Sequence, residues 1–149
     1  MSTKFTEYKG LNLPNVADDV LAFWKEHNIF EKSITTRDDN KPFIFFEGPP
    51  SANGLPGIHH AMGRTIKDIF CRYKTQKGYQ VKRKAGWDTH GLPVELGVEK
   101  ELGITKEDIG KKITVEEYNA ACKKAVMKYT DIWNDLTEKM GYWVDIRTI

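Results

Sequence analysis

A glycine- and proline-rich segment lies between a short apolar run and a helical pattern, and it constrains the fold more than any other feature. The apolar run covers residues 43–46, and the first loop, defined as residues 47–57, holds three prolines and three glycines. Apolar residues recur at helical spacing from Ile58, and Gly78 is placed to end that helix. Residues 79–84 then read as a second strand. The pattern predicts a strand–loop–helix–strand unit, and hence an α/β fold with a parallel sheet and flanking helices.

The apolar run also carries an expectation about burial. Four consecutive apolar residues are typical of a strand covered on both faces, as in a parallel sheet. Residues 37–41 are polar and predict a turn. Pro42 closes this turn, because proline is excluded from the interior of a central strand.

Two capping patterns frame the helices at either end of the chain. Asn15 is a candidate N-cap for a first helix that extends to Asn28. Thr114 and Glu117 form a capping box, and apolar spacing after them predicts one long helix that Gly141 stops.

Composition excludes several classes of protein. The chain has 149 residues, and none of its apolar runs approaches the roughly 20 residues that span a bilayer. Residues 1–5 lack the apolar core of a secretion signal. The two cysteines, Cys71 and Cys122, argue against a disulfide framework and a cysteine-based zinc site, so a cytoplasmic location is the expectation.

Charge is unevenly distributed along the chain. The net charge is +2, yet residues 67–84 contain seven basic side chains and one acidic one. This basic segment has two interpretations that the sequence leaves open. It is either a solvated helix face and strand end, or a positive edge facing polyphosphate or RNA.

The first loop has the properties of a phosphate site. It follows a parallel strand, where ligands of α/β sheets bind, and its glycines allow close backbone approach. A helix start adds positive potential, and the His59 and His60 imidazoles can donate to phosphate oxygens. Structural histidines and a metal site remain alternatives, although metal pairs on helices are spaced i,i+4. The glycine-rich patterns of P-loop hydrolases, dinucleotide enzymes and serine hydrolases are absent.

Two motifs together carry a resemblance. Residues 48–54 read Gly-Pro-Pro-Ser-Ala-Asn-Gly, and residues 86–95 read Gly-Trp-Asp-Thr-His-Gly-Leu-Pro-Val-Glu. From Pro14 to Asp145 the chain resembles class I aminoacyl-tRNA synthetases, specifically the isoleucyl-tRNA synthetase family. The resemblance implies that residues 1–149 are the N-terminal half of a Rossmann-type catalytic domain that ends near the insertion point of an editing domain. Residues 1–40 would be a helical extension packed on it.

The resemblance also implies a reaction and its participants. ATP with Mg²⁺ would activate isoleucine to isoleucyl-adenylate, and the aminoacyl group would pass to tRNA(Ile). His59 and His60 would be the catalytic contacts to ATP phosphates. The other implied nucleotide-site residues are Pro50, Asn53, Gly54 and Gly57. Gly48 and Pro49 would line the amino-acid pocket, and Asp88 would hold the substrate ammonium; the alternative for Asp88 is a cap for the following helix.

One motif departs from the family pattern. The usual signature is His-x-Gly-His, whereas this chain reads Gly57-Ile58-His59-His60. A subgroup of isoleucyl enzymes associated with mupirocin resistance resembles this arrangement. The hypothesis is that His59 supplies from the third position what the first histidine supplies elsewhere.

Several parts of such an enzyme are missing from these residues. The second signature, Lys-Met-Ser-Lys-Ser, does not occur, and neither do editing and anticodon-binding domains. The expectation is therefore an N-terminal fragment that does not aminoacylate tRNA alone, from a cytoplasmic monomer without membrane contact. A zinc site, if present, would lie elsewhere in the full-length enzyme. The rival interpretation is a stand-alone nucleotide- or RNA-binding module without ligase activity.

Overall fold

The computed structural model describes residue 7 and residues 10–146. Six α-helices and two strands are found in this part of the chain, and a 3₁₀ turn spans Lys106–Asp108. In chain order the elements are α1 Leu13–Glu26, α2 Ile29–Thr35, β1 Asp38–Phe46, α3 Ile58–Gln76, β2 Tyr79–Lys84, α4 Leu92–Leu102, α5 Val115–Val126 and α6 Thr130–Lys139. The prediction for residues 1–5 lies outside the described residues. None of the described helices is long and apolar enough to cross a bilayer.

The predicted strand–loop–helix–strand unit is confirmed. β1 and β2 pair in parallel, with Phe43 opposite Val81, and α3 connects them. Gly78 follows α3 with a φ of 88°, in the left-handed region that favours glycine. Beyond β2, Asp145 donates its N–H to Arg83 O at 3.0 Å and accepts from Ala85 N–H at 3.0 Å, so the segment after α6 runs parallel beside β2.

β1 differs from its prediction in two ways. It begins at Asp38, so the expected polar turn at residues 37–41 is mostly strand, and Pro42 lies inside it opposite Gln80. The pairing register is irregular between Asp38 and Pro42, which fits a proline that has no N–H for the ladder. The expectation of burial on both faces is wrong within the described residues, since Ile44 is 61% and Phe46 73% exposed.

The first helix starts earlier than predicted. Asn12 is its N-cap, and Asn12 Oδ1 accepts the N–H of Asn15 at 3.2 Å, so the cap assigned to Asn15 is wrong. The reason is Pro14, whose missing N–H is tolerated in a first helical turn. The helix ends at Glu26. Asn28, with a φ of 51°, then redirects the chain into α2, which the sequence did not indicate.

The long C-terminal helix is two helices. The capping box at its start is confirmed, because Thr114 Oγ1 accepts the Glu117 N–H at 3.2 Å while Glu117 Oε2 accepts the Thr114 N–H at 3.0 Å. The prediction of one helix up to Gly141 is wrong. The helical path breaks between α5 and α6, where the Tyr129 N–H bonds Ala52 O at 3.0 Å in the first loop.

On α3 the buried face is polar and the exposed face is apolar, which is the reverse of what the apolar spacing favours. Its inward face is polar, and its buried residues are Arg64, Cys71 and Thr75. The outward face is apolar yet exposed, and its members are Met62, Ile66, Ile69, Phe70 and Tyr73. The core on the inward side contains the buried Arg83, whose Nη1 donates to Asp68 Oδ1 of α3 at 2.8 Å.

Candidate nucleotide and amino-acid site

Three hydrogen bonds from distant segments anchor the first loop through its carbonyl oxygens. The pairs are Asp88 N–H with Pro50 O at 3.0 Å, Tyr129 N–H with Ala52 O at 3.0 Å, and Trp133 Nε1–H with Gly54 O at 2.9 Å. Two of these donors belong to the start of α6, and the third belongs to the second loop, defined as residues 85–91. The turn that precedes α3 is therefore fixed by two segments distant in sequence.

The second loop lies directly against the first. A Cβ placed on Gly86 would be 3.7 Å from the Pro49 Cβ, an ordinary van der Waals contact. Together with the bond between Asp88 and Pro50, this brings two predicted amino-acid-pocket residues, Pro49 and Asp88, to one place. Gly48 is exposed at the start of the first loop.

The Asp88 side chain does not cap the following helix. The N-cap of α4 is Gly91, which has no side-chain cap bond, so the alternative role considered for Asp88 is wrong. The Asp88 carboxylate instead lies near the N–H of His90, at 3.4 Å, and its side chain is 43% exposed. A partly exposed carboxylate beside the first loop has the charge and access needed to receive an ammonium group.

His60 is held in one tautomer. Its Nδ1 accepts the N–H of Gly57 at 2.9 Å, so the neutral ring carries its proton at Nε2. Burial lowers the pKa of His60, and the neighbouring His59, Arg64 and Lys67 lower it further. The result is an uncharged imidazole that presents one N–H donor at the start of α3.

The His59 ring fills the space that a side chain at position 57 would need. A Cβ on Gly57 would lie 2.8 Å from His59 Cε1 and 3.0 Å from its Nδ1. The exposed His59 ring also lies against the His60 ring, with centroids 3.9 Å apart. A side chain at position 57 therefore conflicts with this His59 ring, so the exchanged positions in Gly57-Ile58-His59-His60 are sterically linked.

A buried cation supports the helix start from the inside. Arg64 lies one turn after His60 and donates to Thr137 Oγ1 of α6 at 2.8 Å. Its guanidinium lies over the rings of Trp133 and Tyr142, at 4.9 and 5.6 Å from their centroids. Burial lowers the pKa of Arg64, against the opposing effect of the nearby Glu47.

Glu47 is a site-supporting residue that sequence reasoning missed. It is buried immediately before Gly48, and its carboxylate accepts hydrogen bonds from the Lys67 ammonium and the Tyr142 hydroxyl. Burial and the bond to Glu47 raise the pKa of Tyr142. A glutamate directly after an apolar strand was the available signal, but its Tyr142 partner lies 95 residues away.

The remaining predicted nucleotide-site residues lie on the same loop. Asn53 and Pro50 are half-buried, whereas Gly54 is exposed and gives its carbonyl to Trp133. Trp133, which the sequence analysis did not single out, contacts both Gly54 and His60.

The basic segment is divided between interior and surface. Lys67 pairs with Glu47, and both Arg72 and Arg83 pair with Asp68. Lys74 lies over the Phe43 and Tyr79 rings, and the exposed members are Lys77, Lys82 and Lys84. Three of the seven basic side chains are thus engaged in ion pairs within the fold. In residue 7 and residues 10–146, no three His, Cys, Asp or Glu side chains gather as metal ligands.

Comparison with known proteins identifies the family to which this chain belongs. Residues 19–148 match the family described as tRNA synthetases class I (I, L, M and V), and the chain belongs to that family. Within it, the chain is 71% identical to the isoleucine–tRNA ligase of Bacteroides thetaiotaomicron over 147 residues and 66% identical to that of Porphyromonas gingivalis over 146. It is 56% identical over 123 residues to isoleucine–tRNA ligase 2 of Bacillus anthracis.

These alignments cover the chain far more fully than they cover the relatives. They include 99%, 98% and 83% of this chain, but 13%, 13% and 12% of the three relatives. The chain therefore spans about an eighth of the length of the curated relatives it matches. Class I synthetases in general use ATP with Mg²⁺, an amino acid and tRNA.

Proposed function

We propose that the gene product containing these residues activates isoleucine with ATP and transfers it to tRNA(Ile). These residues would contribute the first part of its nucleotide site and part of its amino-acid pocket. The observation that carries the proposal is the start of α3, where the Gly57 N–H donates to His60 Nδ1 at 2.9 Å and leaves Nε2 as the donor of that ring. The identity to isoleucine–tRNA ligases over nearly the whole chain supports the choice of amino acid.

The proposed chemistry is an in-line displacement at the α-phosphorus of ATP. The isoleucine carboxylate attacks, and pyrophosphate leaves with its Mg²⁺. His60 Nε2–H and His59 would donate to phosphate oxygens, and the α3 N-terminus would add positive potential where negative charge develops. Pro50, Asn53, Gly54 and Gly57 would shape the nucleotide site around them.

Amino-acid binding is assigned to the contact between the two loops. Asp88 would receive the isoleucine ammonium, and Gly48 and Pro49 would line the pocket. The support is the packing of Gly86 on Pro49 and the bond from Asp88 N–H to Pro50 O. Both substrates would thus be positioned by connected backbone, which is the main requirement of phosphoryl-group chemistry.

Isoleucine-dependent exchange of pyrophosphate into ATP tests this function in the intact gene product. Exchange should be faster with isoleucine than with valine, and His60→Ala should lower it roughly a hundredfold, since donors to developing charge contribute on that order. Asp88→Asn should raise the KM for isoleucine. The 149-residue chain alone should not charge tRNA. A gene product that exchanges equally well with every amino acid, or without any, contradicts the proposal.

The exchanged signature has a test of its own. We propose that His59 takes the place of the first histidine of His-x-Gly-His, and the conflict between the His59 ring and a Cβ at 57 supports this. Gly57→His combined with His59→Gly should retain exchange and increase inhibition by mupirocin. Gly57→His alone should lose exchange, because two rings would then compete for one space. Unchanged inhibition in the double variant contradicts the resistance part of the idea.

A second candidate rests on the exposed face of the sheet. Lys84 is exposed opposite the exposed Phe46 in the strand pairing, a combination found where single-stranded nucleic acid binds. Under this alternative, a stand-alone nucleotide- or RNA-binding module, the chain would bind RNA without any exchange activity. Lys82→Ala with Lys84→Ala should weaken RNA binding only under this alternative.

We propose that the gene product is a cytoplasmic monomer. The thiols of Cys71 and Cys122 are unpaired, which fits a reducing compartment. Residues 1–40 are proposed as an extension packed on the catalytic domain; they include α1 and α2 and, from Asp38, the first residues of β1. Light scattering of the purified gene product would test the monomer, and metal analysis would test whether zinc is held outside these residues.

A further inference from the structure

Trp133 is the most completely buried large side chain in the described part of the molecule, and it lies behind the proposed site. It is 1% exposed on α6. Its Nε1–H donates to Gly54 O at 2.9 Å, and its ring meets the edge of His60 with centroids 4.7 Å apart. Its ring also lies 6.4 Å from that of Trp87 in the second loop. A side chain this buried acts on a ligand only through its neighbours.

The contact to Gly54 controls the turn of the first loop. Gly54 is exposed and is followed by three residues that lead into α3. The donor from Trp133 is assisted one turn earlier by the Tyr129 N–H, which bonds Ala52 O at 3.0 Å. Because Trp133 N–H in turn bonds Tyr129 O at 3.1 Å, both donors belong to one rigid helical turn. The start of α6 thus acts as a template for the turn at residues 52–54.

The contact to His60 controls the direction of its remaining donor. The His60 ring contacts two other rings, with its centroid 3.9 Å from that of His59 and 4.7 Å from that of Trp133. Its Nδ1 is bonded to Gly57 N–H. These three contacts restrain the orientation of the His60 ring, and with it the direction in which its Nε2–H donates. Arg64, placed over the Trp133 ring, keeps the indole in this position.

We propose that Trp133 is a positioning residue of the nucleotide site, acting through the Gly54 carbonyl and the His60 ring. The inference rests on the proposed function for the identity of the ligand, ATP. Its two contacts have separable consequences. The bond to Gly54 sets the shape of the loop before ATP arrives, whereas the ring contact sets the histidine that acts on the phosphates during reaction.

Two substitutions separate these contacts in the intact gene product. Trp133→Phe keeps a ring against His60 and Arg64 but removes the donor to Gly54. It should weaken ATP binding and raise the KM for ATP about threefold to tenfold, the value of one hydrogen bond, with kcat and the KM for isoleucine unchanged. Trp133→Leu removes the ring as well, so kcat should also fall.

A matched tryptophan elsewhere provides the control. Trp24 of α1 packs on Gly141 and on Trp143, with ring centroids of the two tryptophans 5.0 Å apart. Trp24→Phe should lower the melting temperature without changing the Kd of ATP. A merely structural role for Trp133 would give the same result as this control.

The measurements are the Kd of ATP by calorimetry and the kinetics of pyrophosphate exchange. A Kd and KM for ATP within twofold of wild type in Trp133→Phe overturn the inference. A wild-type protein that binds ATP but activates another amino acid contradicts the proposed function, while the ATP Kd of the variants still tests Trp133. A wild-type protein that binds no ATP overturns both.

Discussion

The inward face of α3 carries Arg64, Asp68 and Thr75, whereas its outward face carries Met62, Ile66 and Phe70. The inward residues are buried or nearly buried, and Arg64 and Asp68 form hydrogen bonds with Thr137 and Arg83. The outward residues are each more than half exposed. The signature histidines follow the same division, with His60 half-buried and His59 exposed. Polar networks, more than apolar burial, therefore determine which side of this helix meets the sheet.

Removing the Asp68 carboxylate from the inward face should destabilise the fold more than any other single change. Asp68 pairs with Arg83, whose side chain is 1% exposed, and with Arg72. Asp68→Ala leaves the Arg83 charge buried without its carboxylate, which should lower the free energy of unfolding by about 3–5 kcal/mol. Urea denaturation of the 149-residue chain measures this loss.

Its matched control is another aspartate in an i,i+4 pair. Asp135 pairs with Lys139 on α6, and both side chains are mostly exposed. Asp135→Ala should cost about 0.3–0.5 kcal/mol. Equal losses in the two variants would contradict a special role for the inward face.

The next largest effect is expected on pyrophosphate exchange from a substitution at Gly57, the N-cap residue of α3. Gly57→Ala places a Cβ in the space of the His59 ring, so the ring must turn away. Pyrophosphate exchange should fall on the order of tenfold, because a small displacement of a reacting group has effects of this size or larger. Gly63→Ala, with nothing within 4 Å of the new Cβ, should leave exchange unchanged. Full activity in Gly57→Ala would separate His59 from catalysis.

A smaller effect on the free energy of unfolding is expected from the protonation of His60 as pH falls. The pKa of His60 is lowered from its ordinary 6.5, so the unfolded chain binds the proton more tightly than the folded one. The stability that a neutral His60 contributes is present above pH 6.5 and is lost as pH falls through its folded pKa. His60→Gln keeps an acceptor for Gly57 N–H but does not titrate. The wild type should therefore lose more stability than His60→Gln between pH 7.5 and 5.5, and parallel losses would contradict the assignment.

The smallest effect belongs to the outward face. Phe70 is 65% exposed, so Phe70→Gln should change the free energy of unfolding of the 149-residue chain by no more than about 0.5 kcal/mol. Urea denaturation again provides the measurement. A loss above 2 kcal/mol would mean that the outward face is packed in solution, and the contrast between the faces would no longer hold.

The sequence predicted features whose causes are local. Gly78 and the Thr114–Glu117 capping box were located correctly because their signals lie within a few residues of the structure they specify. The apolar spacing of α3 located the helix but not its inward side, because that side is chosen by Arg83 and Asp68, which meet only in the fold. Likewise, the break before α6 depends on Ala52 accepting the Tyr129 N–H, which no local pattern encodes.

For the site, the two loop motifs located the predicted residues on adjoining segments but did not reveal what supports them. The loops adjoin because Gly86 lies against Pro49 and the Asp88 N–H bonds Pro50 O. Glu47 and Trp133 were missed because their partners are distant in sequence and their side chains are buried. Which residues touch substrate stays a prediction that the proposed exchange assays test.

Because the first loop depends on α6 for its shape, the two segments should fold in a definite order. Gly54 and its partner Trp133 are separated by 79 residues, and Glu47 and Tyr142 by 95. Contacts at such separations form late, because a long loop must first be closed. On a ribosome, the strand and loop would emerge well before the helix that shapes them. The first loop would therefore remain unformed on the nascent chain until synthesis has passed α6, so any ligand of this loop would bind only after Trp133 and Tyr142 are in place.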